Sequence, residues 1–159
     1  MGPEVIEVEA LLAKRANSKH CLSCSSGTDA LSIPLMAEGI GLNDAVFVPS
    51  FTFTSSAEVI AVLKATPIFV DVSLDTFNMC PESLRNSIML AKRNGLNPKA
   101  IMVVDLFGQP VDFDPIQEIA SENDLWILDD AAQSFGASYN NKPIGSFGHA
   151  TATSFYPSK

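Results

Sequence analysis

The sequence predicts an α/β fold built on a mostly parallel sheet. Short apolar runs alternate along the chain with longer amphipathic segments, which is the pattern of strands joined by helices. Several short runs, such as residues 101–104 and 126–128, are apolar without a break. Unbroken apolar character is typical of parallel strands that are buried on both faces. No repeat, low-complexity tract or linker divides the 159 residues, so we predict no domain boundary within them.

Six segments have strand character, namely residues 20–25, 45–49, 67–72, 100–107, 125–129 and 150–155. Five segments between and before them have helical character, namely residues 4–16, 28–39, 55–65, 82–94 and 114–123. Pro81 suits the start of the fourth helix and Gly95 its end. Pro34 falls inside the second helix, where the missing N–H is expected to kink the helix or shorten it.

Composition excludes several classes of function. Apolar residues make up 47% of the chain and charged residues 18%, which is enough apolar material for a core. The net charge is -8 and no basic stripe is present, so nucleic-acid binding is not expected. No apolar run approaches the roughly 20 residues that span a bilayer, and residues 1–10 carry no signal pattern. A cytoplasmic protein without a membrane segment is therefore predicted.

Cys21 and Cys24 form a C-x-x-C pair within the first predicted strand. A redox pair of this type usually opens a helix, whereas a strand places residues three apart on opposite faces. No second pair completes a zinc site, so no metal site is predicted. Small side chains in a reducing compartment are the favoured interpretation.

The end of the first predicted strand carries groups suited to a phosphate. Ligands of open parallel sheets bind at the carboxyl ends of the strands. Gly27 and Thr28 follow the first strand and open a helix, so their amides and the positive end of the helix dipole can hold a phosphate. Ser154, at the end of the sixth strand, can add a hydroxyl donor to the same group.

Other strand ends carry groups suited to the ring of pyridoxal phosphate. Phe53 can stack on a pyridine ring. Asp130 can keep the ring nitrogen protonated, which makes the ring an electron sink. Lys159 can form a Schiff base with the aldehyde. Pro157 forces a turn, so Ser154 and Lys159 need not lie on opposite faces.

Each of these residues also has an ordinary structural interpretation. Ser-Gly-Thr is a common helix start that caps without binding a ligand, and taken alone that interpretation is favoured. Phe53 is a common core residue, Asp130 a common turn or cap residue, and Lys159 a solvated terminal residue. Their placement at strand ends, in an order that fits one shared pocket, favours a site.

Six motifs extend this picture over the whole chain, namely SSGTDAL, PSFTFTSSAEVI, FVDVSLDTFN, DLFGQPVDFD, DDAAQSFGASY and GSFGHATATSFYPSK. Their order and spacing closely resemble the DegT/DnrJ/EryC1/StrS family of sugar aminotransferases. Asp129 stands where many members of that family have glutamate.

The resemblance implies the three-layer α/β/α large domain of a fold-type-I pyridoxal-phosphate enzyme, usually a homodimer with active sites at the subunit interface. It assigns cofactor-binding roles to Gly27, Thr28, Phe53, Asp130, Gln133, Ser154 and Lys159. Within that set it implies catalytic roles for Lys159 and Asp130, and it places Gln133 near the ring hydroxyl. Family members are more than twice as long, so residues 1–159 are expected to be a partial large domain that ends on the Schiff-base lysine. The small C-terminal domain and a sheet strand between the first and sixth strands are expected to be absent from this chain.

The family moves an amino group from glutamate or glutamine to a keto group of a sugar, usually a nucleotide-linked one. Lys159 separates this sequence from relatives that have histidine there, which are dehydratases. The runs 105–110 and 150–155 look more like members that act on UDP- or dTDP-linked keto-hexoses in surface-polysaccharide synthesis.

The sequence is also compatible with two other functions. A nucleotide-binding oxidoreductase would need a glycine fingerprint after the first strand, but the turn there has only Gly27, and Gly39 and Gly41 follow a helix. Binding of NAD or of pyridoxal phosphate near Trp126 would distinguish the two enzymes by fluorescence. The second alternative is a truncated, non-catalytic chain that serves only as a structural or interaction module.

Overall fold

The computed structural model describes residues 2–157 and contains a parallel sheet flanked by helices. The α-helices are α1 (Pro3–Ala16), α2 (Gly27–Ala37), α3 (Ser55–Val62), α4 (Pro81–Arg93) and α5 (Phe113–Asn123). The strands are β1 (Asp44–Pro49), β2 (Thr66–Val70), β3 (Asn97–Val104), β4 (Trp126–Asp130), β5 (Ser138–Tyr139), β6 (Lys142–Pro143) and β7 (Ala150–Ala152). A 3-10 turn, Leu106–Gly108, follows β3.

The main sheet has the strand order β2-β1-β3-β4-β7, and all four of its pairings are parallel. This confirms the predicted mostly parallel sheet. Val104 pairs with Asp130, and Asp130 pairs with Ala152, so the last residues of β3, β4 and β7 lie side by side. The polar residues that follow these strands therefore start at the same edge of the sheet, the one formed by the carboxyl ends of its strands. The short strands β5 and β6 form a separate antiparallel hairpin.

Two apolar cores, one on each face of the sheet, make the three predicted layers. Alternation along β1 sends Phe47 to the face covered by α4 and α5, and sends Val46 and Val48 to the face covered by α2 and α3. All three side chains are fully buried. Burying one such side chain contributes about 1.5–3 kcal/mol, so strands buried on both faces hold the two helical layers together.

The predicted strand at 20–25 is wrong, because this segment pairs with no strand among the described residues. The Ser23 N–H instead donates to Glu9 Oε1 of α1 at 2.7 Å. Leu22 is 82% exposed. A segment becomes a strand only when a neighbouring strand accepts its backbone hydrogen bonds, and here a helix side chain takes that place.

The predicted strands 100–107 and 150–155 both run past the observed strand ends. The segment predicted as 100–107 ends as a strand at Val104, and Phe107 has left-handed backbone angles (φ 59°, ψ 18°) that no strand can include. The segment predicted as 150–155 ends as a strand at Ala152. The chain thus leaves the sheet two residues before Ser154.

The helix that contains Pro34 is shortened at its end. It begins at Gly27, one residue before the predicted start, and ends at Ala37, two residues before the predicted end. Pro34 lies in its last turn, and its carbonyl oxygen accepts the Glu38 N–H at 3.0 Å. Pro34 has no N–H to donate to the Ala30 carbonyl oxygen, and the helix ends within one turn of it.

Within residues 2–157, no helix is long and apolar enough to cross a membrane. The three cysteines are free, and burial raises the pKa of the Cys21 thiol, which disfavours a reactive thiolate at that position. Among the same residues, no group of His, Cys, Asp and Glu side chains is arranged to hold a metal ion.

Candidate functional site

The amino end of α2 and the residue Ser154 lie in contact. A methyl group added at Gly27 would stand 3.0 Å from Ser154 Cβ and 3.3 Å from Ser154 Oγ. Only glycine allows the chain after β7 to approach the helix this closely. The structure therefore places the predicted hydroxyl donor directly against the predicted phosphate-binding helix end.

Ser26 caps the same helix, because its Oγ accepts the Asp29 N–H at 3.0 Å. The Asp29 carboxylate accepts hydrogen bonds from the hydroxyls of Ser25 and Ser26, and these bonds lower its pKa. Capping uses the N–H of the third helical residue. Within residues 2–157, no hydrogen-bond acceptor lies at the N–H groups of Gly27 and Thr28, which open the helix. The helix end is therefore capped and still presents two amides.

Asp130 is the last residue of β4 and is only 5% exposed. Its Oδ2 accepts the Ser56 hydroxyl at 2.9 Å, and its Oδ1 accepts the Ala132 N–H at 3.3 Å. Ser56 belongs to α3 and lies 3.2 Å from the Thr52 hydroxyl oxygen. The carboxyl group is therefore held in one orientation on the sheet face that α2 and α3 cover.

Phe53 lies in the loop between β1 and α3, and 67% of its surface is exposed. Its carbonyl oxygen accepts the Ser56 N–H at 3.2 Å. Ser56 thus joins the loop of Phe53 to the carboxyl group of Asp130. The exposed ring of Phe53 belongs to the same edge of the sheet.

A cluster of three other exposed rings lies at the ends of neighbouring strands. Phe51, Phe77 and Phe107 follow β1, β2 and β3, and their ring centroids are 5.7 to 6.4 Å apart. Phe77 and Phe107 both have a positive φ of 59°, which is uncommon for a bulky residue. The cluster forms one apolar patch along this edge.

Gln133 lies in the turn after β4, and its side chain accepts one hydrogen bond. Its Oε1 accepts the Phe107 N–H at 2.7 Å. The turn after β4 is therefore joined to the turn after β3 through the side chain that was predicted to approach the cofactor.

Two further carboxyl groups lie behind Asp130 on the opposite face of the sheet. Asp105 and Asp129 are fully buried. Burial raises the pKa of Asp105 to about 6, against the opposing effect of hydrogen bonds from Ser134 and Val111. Burial, followed by the nearby charges of Asp105 and Asp130, raises the pKa of Asp129 well above its ordinary value. Both pKa values are raised because little solvent reaches the carboxyl groups, which disfavours their charged forms.

Of the predicted site residues, the structure brings Gly27 together with Ser154, and it joins Phe53 to Asp130 through Ser56. The roles assigned to these residues, to Thr28 and to Gln133 stay predictions. Lys159 lies outside the described residues. The arrangement fits a phosphorylated pyridine cofactor, since it combines a helix end and a hydroxyl on one side with a fixed, buried carboxyl on the other.

A protein-family model for the DegT/DnrJ/EryC1/StrS aminotransferase family matches residues 1–159. The chain belongs to this family. The resemblance stated from the motifs is thereby confirmed over the entire chain.

Two curated relatives place this DegT/DnrJ/EryC1/StrS chain among proteins named for amino sugars. It is 45% identical over 159 residues to the UDP-2-acetamido-2-deoxy-3-oxo-D-glucuronate aminotransferase of Pseudomonas aeruginosa, covering 100% of the chain and 43% of that protein. It is 38% identical over 159 residues to the GDP-perosamine synthase of Caulobacter vibrioides, covering 100% of the chain and 41% of that protein. The chain thus spans about two fifths of the length of these relatives.

Solved structures confirm the fold class. A DegT DnrJ EryC1 StrS aminotransferase from Brucella abortus superposes with a TM-score of 0.98 at 49% identity, covering 100% of this chain and 43% of that one. A Streptococcus pneumoniae protein solved in a PLP form matches with a TM-score of 0.92 at 29% identity, covering 100% of this chain and 42% of that one. Pyridoxal phosphate is therefore confirmed as the cofactor of the family.

Sequence reasoning missed three polar residues that shape the site. Ser56 fixes Asp130, and the pair Asp105 and Ser134 joins the two turns beside Gln133. Ser56 follows the aromatic run after β1, and Asp105 ends an apolar run, as Asp130 does. Polar residues that end a buried strand are therefore the signal that could have identified Asp105.

Proposed function

We propose that the protein carrying this chain transfers an amino group from glutamate or glutamine to the keto group of a nucleotide-linked sugar, with pyridoxal phosphate as cofactor. One observation carries the proposal. Gly27 and Ser154 meet at the amino end of α2, and Asp130 is held by Ser56 at the same edge of the sheet. Family membership and the amino-sugar names of the relatives support it.

The phosphate side of the site uses neutral donors. The N–H groups of Gly27 and Thr28 bind the phosphate at the positive end of the helix dipole, and the Ser154 hydroxyl donates to it. No lysine or arginine is required, which suits a chain with a net charge of -8. This side anchors the cofactor and takes no part in the chemistry.

The ring side of the site controls protons. When bound, pyridoxal phosphate supplies a protonated ring that absorbs the electrons of a broken C–H bond. Asp130 holds the proton on the ring nitrogen, and Phe53 packs on the ring face. Gln133 donates to the ring hydroxyl. Lys159 Nζ would hold the cofactor covalently and, when free, would move the proton at the substrate carbon.

The names of the relatives support the proposed substrate class. The relatives named above carry UDP- and GDP-linked sugars in their names. We propose a nucleoside-diphosphate keto-sugar of amino-sugar and surface-polysaccharide synthesis, with UDP or dTDP as the predicted nucleotide. The homodimer, the cytoplasmic location and the assignment of residues 1–159 to part of a larger cofactor-binding domain stay predictions.

The test is a visible absorption spectrum of the full chain with pyridoxal phosphate, before and after borohydride. Lys159→Ala is compared with Lys99→Ala. Lys99 is an exposed lysine near the amino end of β3, away from the carboxyl ends of the strands. After unbound cofactor is removed, we expect a borohydride-sensitive band in the natural protein and in Lys99→Ala, and reduction should leave the cofactor covalently attached to both, because borohydride converts a Schiff base into a stable amine. Covalent attachment in Lys159→Ala, or its absence from the natural protein, would contradict the proposal.

A further inference from the structure

The carboxamide of Gln133 is oriented by the main chain of another turn. Gln133 Oε1 accepts the Phe107 N–H at 2.7 Å, so the oxygen is engaged. A carboxamide has one accepting oxygen and one donating NH2 group. Among the described residues, none accepts a hydrogen bond from Gln133 Nε2. The donor end of the side chain is therefore the end presented to a ligand.

The turn that supplies this N–H has an uncommon shape. Phe107 has left-handed backbone angles (φ 59°, ψ 18°), and Gly108 follows with φ 81°. A methyl group at Gly108 would stand 3.1 Å from the Gln133 carbonyl oxygen. The 3-10 turn thus packs directly on the main chain of Gln133. Backbone of this kind persists only where its surroundings hold it.

A single buried carboxyl group spans the two turns. Asp105 Oδ1 accepts the Val111 N–H at 2.8 Å, on the far side of the 3-10 turn. Asp105 Oδ2 accepts the hydroxyl of Ser134, the residue after Gln133, at 2.7 Å. Asp105 is fully buried and both of its oxygens are engaged. The carboxyl group therefore links two turns as a clamp. One is the 3-10 turn whose Phe107 N–H binds Gln133, and the other is the turn that carries Gln133.

We propose that Asp105 is a positioning residue that holds Gln133 with its NH2 group toward the cofactor. This proposal rests on the proposed function, because that function supplies the cofactor to which Gln133 would donate. Asp105 itself touches neither ring nor substrate and acts through Ser134 and the Phe107 turn. Asn78 assists, since its Nδ2 donates to the carbonyl oxygens of Gln109 and Pro110 at 3.1 Å.

The chemistry of the clamp explains why a polar group is kept at a buried position. An apolar side chain of similar size would leave the Val111 N–H and the Ser134 hydroxyl without a partner. An asparagine at position 105 would still accept from Val111 through Oδ1 and could donate to Ser134 through Nδ2. Asparagine should therefore preserve the clamp, and leucine should break it.

The test measures the hydrogen bond between Phe107 and Gln133 in solution. In the isotope-labelled full chain without cofactor, we would record the scalar coupling across the bond from Phe107 N–H to Gln133 Cδ. We expect the coupling in the natural protein and in Asp105→Asn, and its loss in Asp105→Leu and Ser134→Ala. Ser146→Ala is the matched control, because it removes a hydroxyl that donates to Ala16 O and should leave the coupling unchanged.

Retention of the coupling in Ser134→Ala, or its loss in Asp105→Asn, would overturn the proposal. If Asp105→Leu does not fold, the presence or absence of the coupling in Ser134→Ala tests the proposal by itself. If Ser134 had only a structural role, both Ser134→Ala and Ser146→Ala would lower stability, and neither would abolish the coupling between Phe107 N–H and Gln133 Cδ. Failure of the proposed function would appear separately, as the absence of the borohydride-sensitive band from the natural protein.

Discussion

Replacement of Asp105 by asparagine is expected to flatten the pH dependence of stability in the weakly acidic range. Burial raises the pKa of Asp105 from 3.8 to about 6 in the folded protein. The folded state therefore binds this proton more tightly than the unfolded state does. The resulting stabilisation is fully present below the unfolded pKa and is lost as the pH rises through about 6.

The magnitude follows from the shift. A change of about 2 pKa units corresponds to about 3 kcal/mol of unfolding free energy. Asparagine does not titrate, so the natural protein should lose about 3 kcal/mol relative to Asp105→Asn between pH values of about 4 and about 7. Asp129 changes in the same direction, because removal of the Asp105 charge removes one cause of its raised pKa.

The assay is urea unfolding followed by circular dichroism, at several pH values across this range. The difference between the two curves reports the titration of Asp105 together with its effect on the pKa of Asp129. Asp75→Asn is the matched control, since it makes the same substitution at an exposed position. Parallel pH profiles for the natural protein and Asp105→Asn would refute the reasoning.

Two further substitutions test the packing around the site. Ser56→Ala removes the 2.9 Å hydrogen bond to Asp130, so we expect a loss of about 1–3 kcal/mol in urea unfolding and weaker binding of pyridoxal phosphate in a spectral titration. An unchanged affinity would show that Ser56 does not set the position of the carboxyl. Gly145→Ala would bring a methyl group to 2.5 Å from Ala16 Cβ at φ 101°, so we expect faster hydrogen exchange in α1 and a larger loss of stability than in Gly39→Ala. Gly39 has φ 70° and open space around it, which leaves only a backbone cost of roughly 1 kcal/mol, and equal losses would contradict the steric argument.

The position of Asp130 could be predicted because it ends a strand, whereas Gly27 opens a helix that follows no strand among the described residues. Asp130 ends the apolar run of β4, and Gly27 opens the helix that packs beside it. These positions follow from local pattern and from the general placement of ligands in parallel sheets. The direct approach of Gly27 to Ser154 depends on the end of β7 at Ala152, whereas the sequence predicted a strand as far as residue 155.

The groups that contact the site residues are determined by the tertiary structure. Asp129 and Asp130 are adjacent in sequence, yet the period of a strand sends them to opposite faces of the sheet. One meets a hydroxyl from α3, and the other meets the buried carboxyl of Asp105. Neither partner can be identified from nearby residues, because Ser56 and Asp105 are 74 and 24 positions away along the chain.

The sequence by itself determined the α/β class, the order of helices and most strands, and the family. Those features arise from local apolar periodicity and from ordered motifs, which need no knowledge of distant contacts. Only the tertiary structure decided that residues 20–25 do not form a strand and that Asp105 bridges two turns. A strand and a buried carboxyl group share one physical requirement, since each needs hydrogen-bond partners that are supplied by a distant part of the chain.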